Sequence, residues 1–272
     1  MQRSTRTPQQ QHLYTKYGTW AVVTGASDGI GREMALCLAQ AGLNLVLVAR
    51  RRTVLDQLAA DLMARYSIET RVLDADLSQP AAVEAVIAAT HDLEIGLLVA
   101  SAGFGTSGRL IDAPLDQELA MLDVNCRAVL MMSQHFGKRF AAQGRGGMVL
   151  MSSLVAFQGV PGAANYAATK AYVQSLAEAL HVELAPLGVD VIACAPGPVH
   201  SGFAAQADMQ MSRAAQPADV AQATLNALGR KTTVRPGWLS KFLSGALSLS
   251  PRPRRVRAMG RIMAGMTKHK TA

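Results

Sequence analysis

Trp20-Ala-Val-Val-Thr24 runs without a break into Gly25-Ala-Ser-Asp-Gly29-Ile-Gly31. The first five residues are apolar or β-branched with no polar alternation, which means a strand buried on both faces, as in a parallel sheet sandwiched by helices. The glycines then end the strand and open a helix that runs to Gly42, with Met34, Ala35, Leu38 and Ala41 on one stripe. A glycine-rich turn at this place lets backbone approach a phosphate, and the helix N-terminus behind it offers unpaired N–H groups and a positive dipole end. An ordinary strand-to-helix turn can have the same composition, so the rest of the chain has to decide.

The pattern repeats outward from this unit. Strands are predicted at Asn44–Ala49, Glu69–Leu73, Ile95–Ala100, Gly147–Met151 and Val189–Cys194, with a short last one from Thr232 to Arg235. Helical periodicity lies between them, at Arg52–Tyr66, Ala81–His91, Leu115–Asp123, Cys126–Ala142 and Tyr166–Leu184. Repeated βα units imply right-handed crossovers and one doubly wound, Rossmann-like α/β sheet with helices on both faces. Residues 1–236 form this domain, preceded by a polar segment at 1–17, and residues 237–272 form a basic, amphipathic helical extension. Ligands of such sheets bind beyond the C-terminal ends of the strands.

Bulk properties narrow the function. The formal charge of +8 is concentrated in the tail, because residues 230–272 hold eleven Lys/Arg and no Asp/Glu. The remainder carries sixteen basic against nineteen acidic residues, so a nucleic-acid footprint spread over the fold is disfavoured. Cys37, Cys126 and Cys194 are scattered through apolar segments without paired spacing. Together with a polar N-terminus lacking an apolar leader, they point to a reducing, cytoplasmic setting. None of the six histidines has ligand-like company, so no metal is expected, and His200 is the one candidate for a substrate contact.

The chemistry sits in Asn165-Tyr-Ala-Ala-Thr-Lys-Ala-Tyr172, where Tyr166 and Lys170 share a helix face, and Ser153 lies thirteen residues before Tyr166. A phenol with a pKa near 10 is a poor acid or base at neutral pH. An adjacent ammonium favours the phenolate and brings that value down. At the end of the second strand, Val48-Ala-Arg50-Arg51-Arg52 carries no carboxylate and three guanidiniums, which suit a phosphate and favour NADP(H) over NAD(H), with Arg50 and Arg51 as contacts.

Taken together, these pieces resemble the short-chain dehydrogenase/reductase family. Thr24-Gly-Ala-Ser-Asp-Gly-Ile-Gly31 looks like its cofactor loop, and Ser153, Tyr166 and Lys170 match its active-site spacing. Asn125 in Asp-Val-Asn-Cys falls at its fourth catalytic position, and Pro196-Gly-Pro-Val-His-Ser201 resembles its segment near the nicotinamide. The resemblance implies that Tyr166 exchanges a proton with a carbonyl or alcohol oxygen. Lys170 lowers the phenol's pKa and holds ribose hydroxyls, while Ser153 orients the substrate oxygen. Asn125 interrupts its helix and places a water beside Lys170, although a helix-capping asparagine would look the same. It further implies cofactor contacts from Gly25, Ser27, Asp28, Gly29, Ile30, Gly31, Asp76, Leu77, Ser101, Ala102, Gly103, Pro196, Gly197, Val199 and Ser201, besides Tyr166 and Lys170. Two departures stand out: Ser101 replaces the usual Asn, and Asp28 brings a carboxylate to a phosphate loop, where it is expected to cap the helix. A homodimer or homotetramer through the helices carrying Asn125 and Tyr166 is the family habit. The implied activity is ketone–alcohol interconversion; a non-catalytic nucleotide-binding scaffold is the alternative.

In the tail, Trp238, Leu239, Phe242, Leu243, Ala246 and Leu247 recur at helical spacing. Pro251-Arg-Pro-Arg-Arg-Val-Arg breaks that helix, and Val256, Met259, Ile262, Met263 and Met266 then share a side of a second basic stretch. Such faces are expected to cover the substrate cleft or a subunit contact. Peripheral contact with an anionic membrane is the competing expectation.

Overall fold

The computed structural model describes residues 6–210, 214–237, 245 and 250–267. Seven parallel strands form one sheet in the order β3-β2-β1-β4-β5-β6-β7. They are β1 Trp20–Thr24, β2 Asn44–Ala49, β3 Thr70–Asp74, β4 Ile95–Ala100, β5 Gly146–Met151, β6 Val189–Cys194 and β7 Thr233–Val234. The helices are α1 Pro8–Tyr17, α2 Gly29–Gln40, α3 Arg52–Tyr66, α4 Pro80–Ala88, α5 Leu115–Leu122, α6 Ala128–Gln143, α7 Ala164–Leu184, α8 Phe203–Gln206, α9 Pro217–Ala227 and α10 Arg252–Met266. Chain order reverses between β1 and β4, and that switch point opens a crevice at the strands' C-terminal ends.

Strand residues alternate between two cores, as a period of two requires. Ala21, Val23, Leu45, Leu47, Leu97 and Val99 join the side chains of α2, α3 and α9 on one face. Val22, Val46, Val48, Leu98 and Ala100 join those of α4, α6 and α7 on the other. At about 1.5–3 kcal/mol per buried aliphatic side chain, this two-sided burial is what holds the strand ends rigid beneath the crevice. The three cysteines are free thiols, with Cys194 fully buried and Cys37 and Cys126 half-buried.

Two segments differ from their sequence reading. The polar stretch before β1 contains a helix, because Thr7, Pro8 and Gln10 build a complete capping box and Leu13 and Tyr17 reach the core. The Tyr17 hydroxyl donates to Asp190 at 2.9 Å, and Lys16 pairs with the same carboxylate. At the other end, the Pro251–Arg257 run starts α10, since prolines fit a first helical turn. The Trp238–Leu247 stripe lies outside the described residues apart from Gly245. None of the described helices is long and apolar enough to cross a membrane.

Candidate active site

The turn after β1 is built for close approach. Gly25 sits at φ +68°, and a Cβ there would lie 2.9 Å from the Ala102 nitrogen. A Cβ on Gly31 would collide with the Gly25 carbonyl, so α2 packs directly on its own loop. Asp28 caps α2, as expected: Oδ1 accepts from the Gly29 amide at 2.7 Å. Its Oδ2 accepts from the Gly202 amide at 2.9 Å, which fastens the segment after β6 over the loop. Both carboxylate oxygens are therefore occupied at the protein's own amides. Ser201 lies against Gly29, within 2.8 Å of where a Cβ would stand.

The three arginines after β2 separate into different roles. Arg52 is held by Asp56 and Asp74 and is a surface ion pair. Arg51 instead reaches back to the loop, with Nη2 donating to Ser27 Oγ at 3.0 Å and to the Ser27 carbonyl at 3.1 Å. Arg50 and Arg51 both line the cleft beside Ala49 and Ala75. Asp76 is exposed at the end of β3 and accepts from the Ser78 amide at 3.1 Å, making a turn on the cleft wall beside Leu77.

At the crevice floor, the Thr24 hydroxyl accepts from the amides of Ser101 and Ala102, both at 3.0 Å. This side-chain-to-backbone link ties the end of β1 to the loop after β4 at Ser101. Asn125 is buried in a single π turn, Asp123–Arg127, that interrupts the path from α5 to α6. It does not cap a helix. Its Oδ1 accepts from the Phe104 amide at 3.1 Å, and Nδ2 donates to the Phe104 carbonyl at 2.9 Å and Thr169 Oγ1 at 3.0 Å. Gly103 completes this corner: a Cβ would stand 2.9 Å from Asn125 Oδ1 and 3.3 Å from Lys170 Nζ.

Ser153 follows β5 and begins the short turn Leu154–Phe157. Its hydroxyl lines the cleft with Tyr166, close enough to oppose the rise in the phenol's pKa. Ser152, its neighbour, points away and donates to the Lys170 carbonyl at 3.2 Å. Lys170 is 6% exposed; its ammonium donates to the Met151 carbonyl at 2.9 Å and lies 5.8 Å from the Tyr166 ring centroid. One expectation fails here, because the phenol's pKa is not drawn down. Burial pushes Tyr166 up to about 12, with the Ser153 hydroxyl opposing the rise. Burial also brings Lys170 down to about 8. The ammonium is engaged at a backbone carbonyl below the ring, so desolvation outweighs the attraction between the two groups.

One cavity of about 1090 Å³ runs from the phosphate loop, past Tyr166, to α10. Pro196, Gly197 and Val199 line it, whereas His200 is exposed and does not, against its reading as a substrate contact. Met259 and Met263 of α10 are buried against Val160, Ala163, Ala167 and Met209, with Tyr166 and Phe203 at the edge. The amide of Gln210 donates to the Met266 carbonyl at 2.9 Å, which anchors the helix end. The second tail stretch therefore closes the end of the cavity beyond Tyr166. Sequence reasoning missed Thr24 and Thr169 as supports and Phe203 as the partner of the Tyr166 ring, 5.2 Å between centroids. Ordinary threonines and a loop phenylalanine give no periodic signal.

The short chain dehydrogenase model matches residues 19–212. A 7beta-hydroxysteroid dehydrogenase of Mediterraneibacter gnavus is 31% identical over 236 residues, covering 84% of this chain and 90% of that protein. A solved structure of a 7beta-hydroxysteroid dehydrogenase superposes with a TM-score of 0.85 at 30% identity, covering 91% of this chain and 98% of that one. A short-chain dehydrogenase from Sphingobium yanoikuyae in complex with NADPH gives a TM-score of 0.78 at 29% identity, over 86% and 97% of the two chains. The seven-stranded parallel sheet agrees with these likenesses, and the chain belongs to the short-chain dehydrogenase family.

Proposed function

We propose that the protein interconverts a ketone and a secondary alcohol by hydride transfer, using NADP(H) and an apolar substrate of sterol-like or similar bulk. The observation that carries this reading is a single cleft with a phosphate cradle at one end and Tyr166, Ser153 and apolar side chains at the other. The cradle fits a dinucleotide, since glycine backbone, the α2 N-terminus and the guanidiniums of Arg50 and Arg51, which no carboxylate engages among the described residues, converge there. Once bound, the nicotinamide nucleotide supplies or takes the hydride. Ser153 donates to the substrate oxygen where charge develops, and Tyr166 gives that oxygen its proton, or removes it in the reverse direction. Lys170 would hold the ribose hydroxyls of a bound cofactor, and Asn125 fixes the Gly103–Phe104 corner beside it. The intact set disfavours a non-catalytic scaffold.

NADPH consumption against ketones graded by size and hydrophobicity tests the proposal. Turnover should rise with both. Tight NADPH binding with no consumption on any ketone would instead favour the scaffold. Arg51 sets the cofactor preference. Arg51→Ala should lower kcat/KM for NADPH by about 10- to 100-fold, the worth of a charge-assisted contact, and barely change that for NADH. Equal losses with both cofactors would place Arg51 outside 2′-phosphate recognition. We also infer a homo-oligomer, because Leu115, Leu119 and Leu122 of α5, Leu130 of α6 and Val182 of α7 are exposed.

A further inference from the structure

The substrate end of the cleft contains two guanidiniums for which ketone chemistry has no use. Arg235 leaves the end of β7 and lies over the Phe157 ring, 4.4 Å from its centroid. Arg255, in the first turn of α10, lines the same cavity. Its neighbour Val256 comes within 3.8 Å of a Cβ built on Gly159, two residues beyond Phe157. In both arginines Nε is buried without a hydrogen-bond partner. Among the described residues neither forms an ion pair. The residues outside that set carry no Asp or Glu. The two carboxylates lining the cavity, Asp28 and Asp76, are at the phosphate-loop end and bonded to backbone amides there.

A buried N–H donor without a partner is costly, and a guanidinium fork matches a planar carboxylate or a phosphate. Arg235 lies over its aromatic neighbour, which reduces the side-chain freedom to be lost on binding. We infer that Arg235 and Arg255 form an anion subsite that takes a carboxylate or phosphate at the far end of an otherwise apolar ketone. The inference rests on reading this cleft as a ketone site. It refines the substrate class from apolar to amphipathic: one reacting carbonyl, an apolar body and one anionic terminus.

Three probes sharing one ketone test it: 12-oxooctadecanoic acid, its methyl ester and 12-oxooctadecyl phosphate. Wild type should prefer the anions over the ester by about 10- to 100-fold in kcat/KM, through KM. Arg235→Gln with Arg255→Gln should bring that ratio close to one, and the paired Lys variants should restore part of it. Preference for the acid identifies a carboxylate substrate, and preference for the phosphate a phosphorylated one. Turnover of all three without preference, or a ratio that the Gln pair leaves unchanged, overturns the subsite and leaves the oxidoreductase reading intact. If none is turned over, this ketone is not a substrate, and the graded ketone series decides the oxidoreductase reading. Calorimetric titration of acid and ester into NADPH-loaded protein then decides the subsite alone: tighter acid binding supports it, and equal affinity overturns it.

Discussion

Tyr166→Phe is expected to lower kcat for ketone reduction about 10²- to 10⁴-fold, the usual worth of a positioned general acid. NADPH affinity should be nearly unchanged, because the ring remains packed on Phe203 and the cradle is untouched. Steady-state rates and a fluorescence titration of NADPH measure the two quantities. The pH dependence has a definite sign. With its pKa pushed up to about 12, Tyr166 is protonated throughout the neutral range and stands ready as an acid. Reduction should therefore hold level across neutral pH and fall only on the alkaline side. Alcohol oxidation needs the phenolate and should rise with pH. Full activity in the Phe variant would mean that the proton comes from another group.

Ending the chain after Ser250 removes α10 and, with it, Met259 and Met263 from the wall of the cleft. At about 1.5–3 kcal/mol for each buried methionine side chain, the large-ketone KM should rise at least tenfold, with small ketones much less affected. The sheet cores draw on none of these residues, so the circular dichroism of the truncated protein should match that of the full chain. Met259→Gln with Met263→Gln should reproduce the size-dependent loss without shortening the chain. Equal KM changes for large and small ketones would show that α10 does not shape the substrate space.

Much of this site could be read from residue order. Continuous apolar runs such as Trp20–Thr24 and Ile95–Ala100 mark two-sided burial, and the sheet follows from their alternation with helices. The glycines after β1 and the Tyr166–Lys170 spacing place the two ends of the cleft. Sequence is less informative where a role depends on partners distant along the chain. Asn125 could equally have been a cap, and only the contacts with Phe104 and Thr169 give it a different task. Arg50, Arg51 and Arg52 look alike as a run, yet Asp56 and Asp74 engage only the third. The phenol's pKa was misjudged because i,i+4 spacing reports which face two residues share and not how deeply they are buried. The amphipathic face of α10 was visible, but its docking on Val160, Ala163 and Met209 depends on a loop with no periodic pattern.

Following deuterium from NADPH carrying two deuterium atoms at nicotinamide C4 tests the assigned chemistry most directly. Wild-type protein incubated with labelled cofactor and a bulky apolar ketone should give a secondary alcohol carrying deuterium on its carbinol carbon, and Tyr166→Phe should give almost none. An unlabelled product, or an unchanged ketone beside tightly bound NADPH across the whole size series, would contradict hydride transfer in this cleft.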